Sequence, residues 1–148
     1  MKDGESVAVT HLSKALKSLG CEITLLSMNT SKHYFDVTQL PETYNHYHQI
    51  YTVDVDNRIK LKDAFVQPFF QKTSYHVSRF INTSFKQQLI TLLKTQQFDL
   101  IQLETLYLAP YISTIRQYSQ VPVVMRAHNI EHEIWQRVAE NTKFLPLK

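Results

Sequence analysis

The sequence predicts an α/β fold in which helices flank a parallel β-sheet. Strand-like segments alternate along the chain with segments whose apolar residues recur every three or four positions, as in amphipathic helices. One strand segment, residues 121–125 (VPVVM), is almost wholly apolar, as expected where helices cover both faces of a sheet. Of the 148 residues, 43% are hydrophobic and 20% are charged, which fits a single domain over residues 1–148.

The first two predicted elements are a helix and a strand that meet at a glycine. The apolar stripe of the helix consists of Val9, Leu12, Leu16 and Leu19. Gly20 follows as a left-handed stop, and residues 21–28 (CEITLLSM) then predict a strand. No strand precedes the helix, so we expect the first strand of this β-α-β unit to be missing.

The remaining elements continue the alternation of strands and helices. Strands are predicted at residues 50–55, 98–103 and 121–125, and helices at residues 74–96, 105–118 and 130–141. Pro110 is expected to interrupt or delay the second of these helices. Strands linked through helices in this way should lie parallel in one layer.

Composition and charge exclude several classes of protein. Sixteen Lys and Arg against thirteen Asp and Glu give a net charge of +3, too even for a nucleic-acid binder. Gly4 and Gly20 are the only glycines, so the glycine-rich phosphate loops are absent. The sequence contains no apolar run long enough to span a membrane and no secretory signal. A single cysteine, Cys21, fits a cytoplasmic location.

Polar residues follow every predicted strand, at the edge of the sheet where parallel folds gather their ligands. They are Asn29 after the first strand, Asp56 and Asn57 after the second, Glu104 after the third, and Arg126, His128 and Asn129 after the fourth. The last group is the densest and predicts a ligand site. The alternative is that these three residues only start the helix that follows, with Asn129 as its N-cap.

Residues 128–132 (HNIEH) match the H-x-x-E-H zinc signature, in which two histidines bind metal beside a glutamate base. His128 falls at the predicted strand-to-helix junction, so His128 and His132 should point apart, and we expect no metal. A zinc metallohydrolase using His128, Glu131 and His132 stays as an alternative function. A non-catalytic α/β interaction module is another.

Two long segments resemble a known family. GESVAVTHLSKALKSLGCEITLLSM is similar to the first helix and second strand of glycosyltransferases with the GT-B fold. FDLIQLETLYLAPY, followed by VPVVMRAHNIEHEIW, is similar to the later strands of the same N-terminal domain. The resemblance extends over residues 4–141 and is to the acceptor-side domain of the retaining, family 4-like glycosyltransferases of cell-surface polysaccharide synthesis.

The resemblance implies one Rossmann-like half of a two-domain enzyme, truncated at both ends. The enzyme would move a sugar from a nucleotide-diphosphate donor to a glycan or lipid-linked acceptor without a cofactor, and this half alone would be inactive. His128 would be catalytic, near the transferred sugar. Gly4, Arg126, Asn129 and Glu104 would bind substrate, although an ion pair of Arg126 with Glu104 or Glu131 is a simpler use of that arginine. The missing first strand would lie between the strands at residues 21–28 and 98–103.

Two further contacts are predicted. Residues 58–79 interleave five Lys and Arg with Phe65, Phe69, Phe70 and Tyr75. This pattern is typical of a core with solvated charges, or of a surface that docks an anionic or lipid-linked acceptor at the inner face of a membrane. The unpaired edges left by the missing strand favour a homo-oligomer.

Overall fold

The structure, a computed structural model, describes residues 4–31, 34–58 and 75–127, together with Gln136 and Glu140. These residues form a mixed α/β fold of helices and short parallel strand pairs. The helices are α1 (Gly4–Ser18), α2 (Tyr75–Ser78), α3 (Thr83–Thr95) and α4 (Ile112–Tyr118), and the strands are β1 (Thr24–Thr30), β2 (Gln49–Val55), β3 (Ile101–Leu103) and β4 (Val123–Met125). Three 3-10 segments lie at Val37–Gln39, Glu42–Tyr44 and Leu106–Tyr111.

The described strands form two parallel pairs. β1 pairs with β2 in a register that sets Thr24 beside Gln49, and β3 pairs with β4 with Leu103 beside Met125. The predicted parallel direction is therefore confirmed within each pair. The predicted single layer is not formed by the described residues, because no described strand pairs with the second edge of either β1 or β3.

Helix α1 ends as predicted, and its predicted apolar stripe is half-buried as far as Leu16. Gly20 has a φ of 89°, and the N–H of Cys21 donates to the carbonyl of Leu16 across the turn. The predicted stripe is wrong at Leu19, which is 80% exposed because it lies in the turn beyond the last helical residue. The buried side chains of α1 are Thr10 and Ser13.

The long helix predicted at residues 74–96 is divided into α2 and α3. The Asn82 side chain ends the interruption by accepting a hydrogen bond from the N–H of Phe85 at 2.9 Å, as an N-cap does. Phe85 and Leu92 of α3 are buried, whereas Ile81 lies in the interruption and is exposed.

The segment after β3 follows the prediction. Pro110 lies in the 3-10 segment, and α4 begins at Ile112. Helix α4 packs against α3 and the 3-10 segment, and it contributes Ile115, the most deeply buried large side chain described. The predicted cover on both faces of the last strand is not complete, since the described elements leave Val124 46% exposed.

The predicted helix at residues 130–141 lies outside the described residues except for Gln136 and Glu140, which are helical. Most of the basic and aromatic stretch at residues 58–79 is outside them as well. Within the part of the chain that is described, none of the helices has the length and hydropathy needed to cross a bilayer.

Candidate functional site

Glu104 and Arg126 meet at the carboxyl ends of β3 and β4. Each residue directly follows its strand, and the Arg126 N–H extends the ladder by donating to the Leu103 carbonyl at 2.8 Å. The parallel register therefore places the two side chains next to each other. Arg126 Nε lies 2.8 Å from Glu104 Oε2, and the two side chains are 32% and 24% exposed. Of the two partners expected for an Arg126 ion pair, Glu104 and Glu131, the structure shows Glu104.

The two ends of this ion pair differ in their remaining hydrogen-bonding capacity. Gln102 Nε2 donates to Glu104 Oε1, so both carboxylate oxygens have a donor. Arg126 Nη2 is buried and has no hydrogen-bond partner among the described residues. A guanidinium nitrogen held in place by an ion pair and lacking an acceptor is suited to receive a hydroxyl or anionic oxygen of a ligand.

The pKa of the Tyr47 hydroxyl is influenced by Glu104 of this ion pair. Burial is the main cause that raises the pKa of its hydroxyl, a hydrogen bond with Ser13 lowers it, and the charges of Tyr44 and Glu104 raise it further. Of these four causes, the charge of Glu104 is the smallest. Sequence reasoning did not single out Tyr47, which is buried.

Ser13 and His46 connect α1 to the segment before β2. Ser13 Oγ lies 2.8 Å from His46 Nε2, and His46 Nδ1 lies 3.0 Å from the Thr43 carbonyl oxygen. Because a carbonyl only accepts, His46 Nδ1 donates to Thr43, while Nε2 faces Ser13 Oγ, which also lies 3.0 Å from the Thr10 carbonyl oxygen. Ser13 is buried within α1, so the pair serves as an anchor between two segments.

Polar residues at the carboxyl ends of β1 and β2 form a second group, in which Asn29 lies inside β1 and not after it as predicted. Asn29 Nδ2 donates to Asp54 Oδ1 at 2.9 Å, and Ser31 Oγ donates to Asn57 Oδ1 at 3.1 Å and to Asp56 Oδ1 at 3.5 Å. The strand-end residues predicted from sequence are therefore brought together in two sets, one on each strand pair. On the β1–β2 pair, these polar side chains hydrogen-bond to one another.

The other predicted site residues divide into described and undescribed positions. Gly4 is the first residue of α1. His128, Asn129, Glu131 and His132 lie outside the described residues. Within the described ranges, no group of three or more His, Cys, Asp or Glu residues is arranged to hold a metal ion.

The buried tyrosines predict a loss of stability at alkaline pH. The pKa values of Tyr47 and Tyr111 are raised by burial above the ordinary value of about 10. The folded chain keeps these protons after the unfolded chain has begun to lose them, so their stabilisation is complete below about pH 10 and is lost as pH rises through the folded pKa. We expect urea midpoints to fall in this range, and to fall less steeply in Tyr47→Phe. If the urea midpoint fell equally steeply with pH in the wild-type chain and in Tyr47→Phe, burial of the Tyr47 hydroxyl would not be a cause of the loss.

Comparison with known proteins gave no relative. No family model, no curated protein sequence and no solved structure matches the chain. The α/β class is accordingly stated from the strands and helices themselves.

Proposed function

We propose that the chain is the acceptor-side, Rossmann-like half of a retaining glycosyltransferase, which requires a donor-binding half for turnover. The observation that carries the proposal is Arg126 at the carboxyl ends of two parallel strands, where its ion pair with Glu104 leaves Nη2 without a partner among the described residues. Ligands of open parallel α/β sheets collect at this edge. The resemblance of residues 4–141 to such enzymes supports the same function.

The chemistry of the pair suits a sugar acceptor. Sugar hydroxyls both donate and accept hydrogen bonds, so they are bound well by a cation and an amide or carboxylate side by side. Arg126 supplies the donor through Nη2, while Glu104 keeps the guanidinium oriented. Gln102, which donates to Glu104, fixes the carboxylate in turn.

The proposed reaction transfers a sugar from a nucleotide diphosphate to a glycan or lipid-linked acceptor with retention. Positive charge develops on the sugar ring and negative charge on the leaving diphosphate, so the protein contributes mainly by electrostatic positioning. In this proposal His128 hydrogen-bonds the transferred sugar, Asn129 binds substrate, and the N-terminus of α1 at Gly4 adds positive potential.

Saccharide binding tests the proposal on the 148-residue chain. We expect saturation-transfer NMR to show weak binding of oligosaccharides, reduced about tenfold or more in Arg126→Ala and reduced less in Glu104→Gln, which leaves the guanidinium less well oriented. Arg58→Ala is the matched control, because Arg58 also pairs with a carboxylate after a strand, but on the other strand pair and 77% exposed.

Two results would contradict this function. One is the absence of saccharide binding by the wild-type chain across a broad panel of glycans. The other is an equal loss of binding in Arg58→Ala and Arg126→Ala, because the effect would then follow net charge and not the Glu104–Arg126 pair.

A further inference from the structure

The Glu104 carboxylate divides its two oxygens between two side chains. Oε2 accepts from Arg126 Nε at 2.8 Å, whereas Oε1 accepts from Gln102 Nε2. Arginine–carboxylate pairs frequently form two parallel bonds, in which neighbouring guanidinium nitrogens each donate to one carboxylate oxygen. Here Gln102 holds Oε1, and Arg126 Nη2 is left without an acceptor among the described residues. Gln102 thus keeps the second donor of the guanidinium open.

A ligand oxygen at this open donor would lie next to the carboxylate. In the planar guanidinium, the Nε N–H and one N–H of Nη2 point in nearly the same direction. Glu104 Oε2 already occupies the position in front of Nε. An oxygen that accepts from Nη2 therefore has a negatively charged oxygen as its neighbour.

We propose that Gln102, Glu104 and Arg126 together select a neutral sugar unit of the acceptor over an acidic one, an inference that rests on the proposed function. A sugar hydroxyl accepts from Nη2 and can donate its own proton to Oε2, so both neighbours of the hydroxyl are satisfied. The carboxylate of a uronate only accepts, and Glu104 repels its charge. The selectivity thus depends on a repulsive contact as well as an attractive one.

The charge of the pair favours the same class of ligand. The guanidinium and the carboxylate carry opposite unit charges, so the pair attracts an anion less than an arginine alone would. The two side chains are 32% and 24% exposed, and salt screens partly buried charges less than exposed ones. Arg126 is therefore the donor to the sugar, Glu104 determines specificity, and Gln102 is a positioning residue.

Sugars that differ only in charge test the selectivity. The probes are neutral hexose oligosaccharides and the same compounds oxidised at C6 to uronates, with dissociation constants from saturation-transfer NMR titrations. We expect the wild-type chain to bind the neutral form about tenfold or more tightly than the uronate. Glu104→Gln removes the negative neighbour and should lower or reverse this ratio. Asp56→Asn is the matched control, because it removes the carboxylate of the exposed ion pair with Arg58 and should keep the wild-type ratio.

Gln102→Ala tests the positioning role without a change of charge. Loss of the Gln102 donor frees Glu104 Oε1 to accept from Arg126 Nη2, so we expect binding of the neutral sugar to weaken about tenfold. Because Gln102 acts through the carboxylate, the same substitution should have little further effect in Glu104→Gln. Far-UV circular dichroism checks that each variant is folded.

The outcomes separate this inference from the proposed function. A wild-type chain that binds the uronate as tightly as the neutral form would overturn the selectivity alone. So would a wild-type ratio in Glu104→Gln, or the same change of ratio in Asp56→Asn. Additive losses from Gln102→Ala and Glu104→Gln would overturn the positioning role of Gln102. Absence of binding to both forms would instead contradict the proposed function, and the inference with it.

Discussion

Replacing Ile115 by alanine is expected to lower the free energy of unfolding by about 2–5 kcal/mol, the usual cost of emptying a fully buried aliphatic site. Ile115 is 0% exposed and lies on α4 where it packs against α3 and the Leu106–Tyr111 segment. Against a total stability of about 5–15 kcal/mol for a domain, this loss should be evident in urea denaturation followed by circular dichroism.

Ile81→Ala is the matched control for this variant. It removes the same atoms from a side chain that is 53% exposed in the interruption between α2 and α3. We expect a cost of about 1 kcal/mol or less. If the two substitutions cost the same, the packing of α4 against α3 is not the main support of this half of the chain.

Removing only the hydroxyl of Tyr111 is expected to cost about 1–3 kcal/mol. This hydroxyl donates to the Phe80 carbonyl at 2.7 Å and accepts the N–H of Asn82 at 2.8 Å, and the residue is 3% exposed. Tyr111→Phe keeps the ring and its edge-on contact with Phe85, so the measured loss belongs to the hydrogen bonds. Both bonds hold the turn from which α3 starts.

The Tyr111→Phe variant can be measured at two levels. Urea denaturation gives the total cost, and amide hydrogen exchange at Asn82 reports the donor that has lost its acceptor. Tyr118→Phe is the control, because Tyr118 is 40% exposed at the end of α4. Unchanged exchange at Asn82 in Tyr111→Phe would show that the hydroxyl does not hold this turn.

Local patterns predicted most of the helices and strands. The αL stop at Gly20 and the delayed start at Pro110 depend on backbone rules that act within a few residues, and both are observed. The division of the 74–96 helix was missed because the apolar period continues through the interruption at Ile81. The available signal was Asn82, a strong N-cap, followed by the first turn of α3.

Of the candidate site, only the contacts that follow from the order and direction of the strands could be predicted from the sequence. Glu104 and Arg126 were expected together because parallel strands end at a common edge, and they form an ion pair. The contact of Ser13 with His46 joins positions 33 residues apart, with no periodic pattern connecting them. The burial of Tyr47 depends on the same long-range packing, which single-sequence reasoning does not contain.

Asn29 was singled out as a ligand-binding candidate because it is polar and was predicted to follow a strand, yet it lies inside β1 and its amide is bonded within its own chain. Its Oδ1 accepts the Phe35 N–H, and its Nδ2 donates to the Phe35 carbonyl and to Asp54. The Asn29 amide thus forms with the Phe35 backbone the same pair of hydrogen bonds that a peptide unit forms across a β-ladder. Hydrolysis of this amide to a carboxylate would turn both donated bonds into contacts between oxygens that only accept. Deamidation of Asn29 would therefore remove the hydrogen bond that holds the Phe35 carbonyl against β1, while the Glu104–Arg126 pair stays in place.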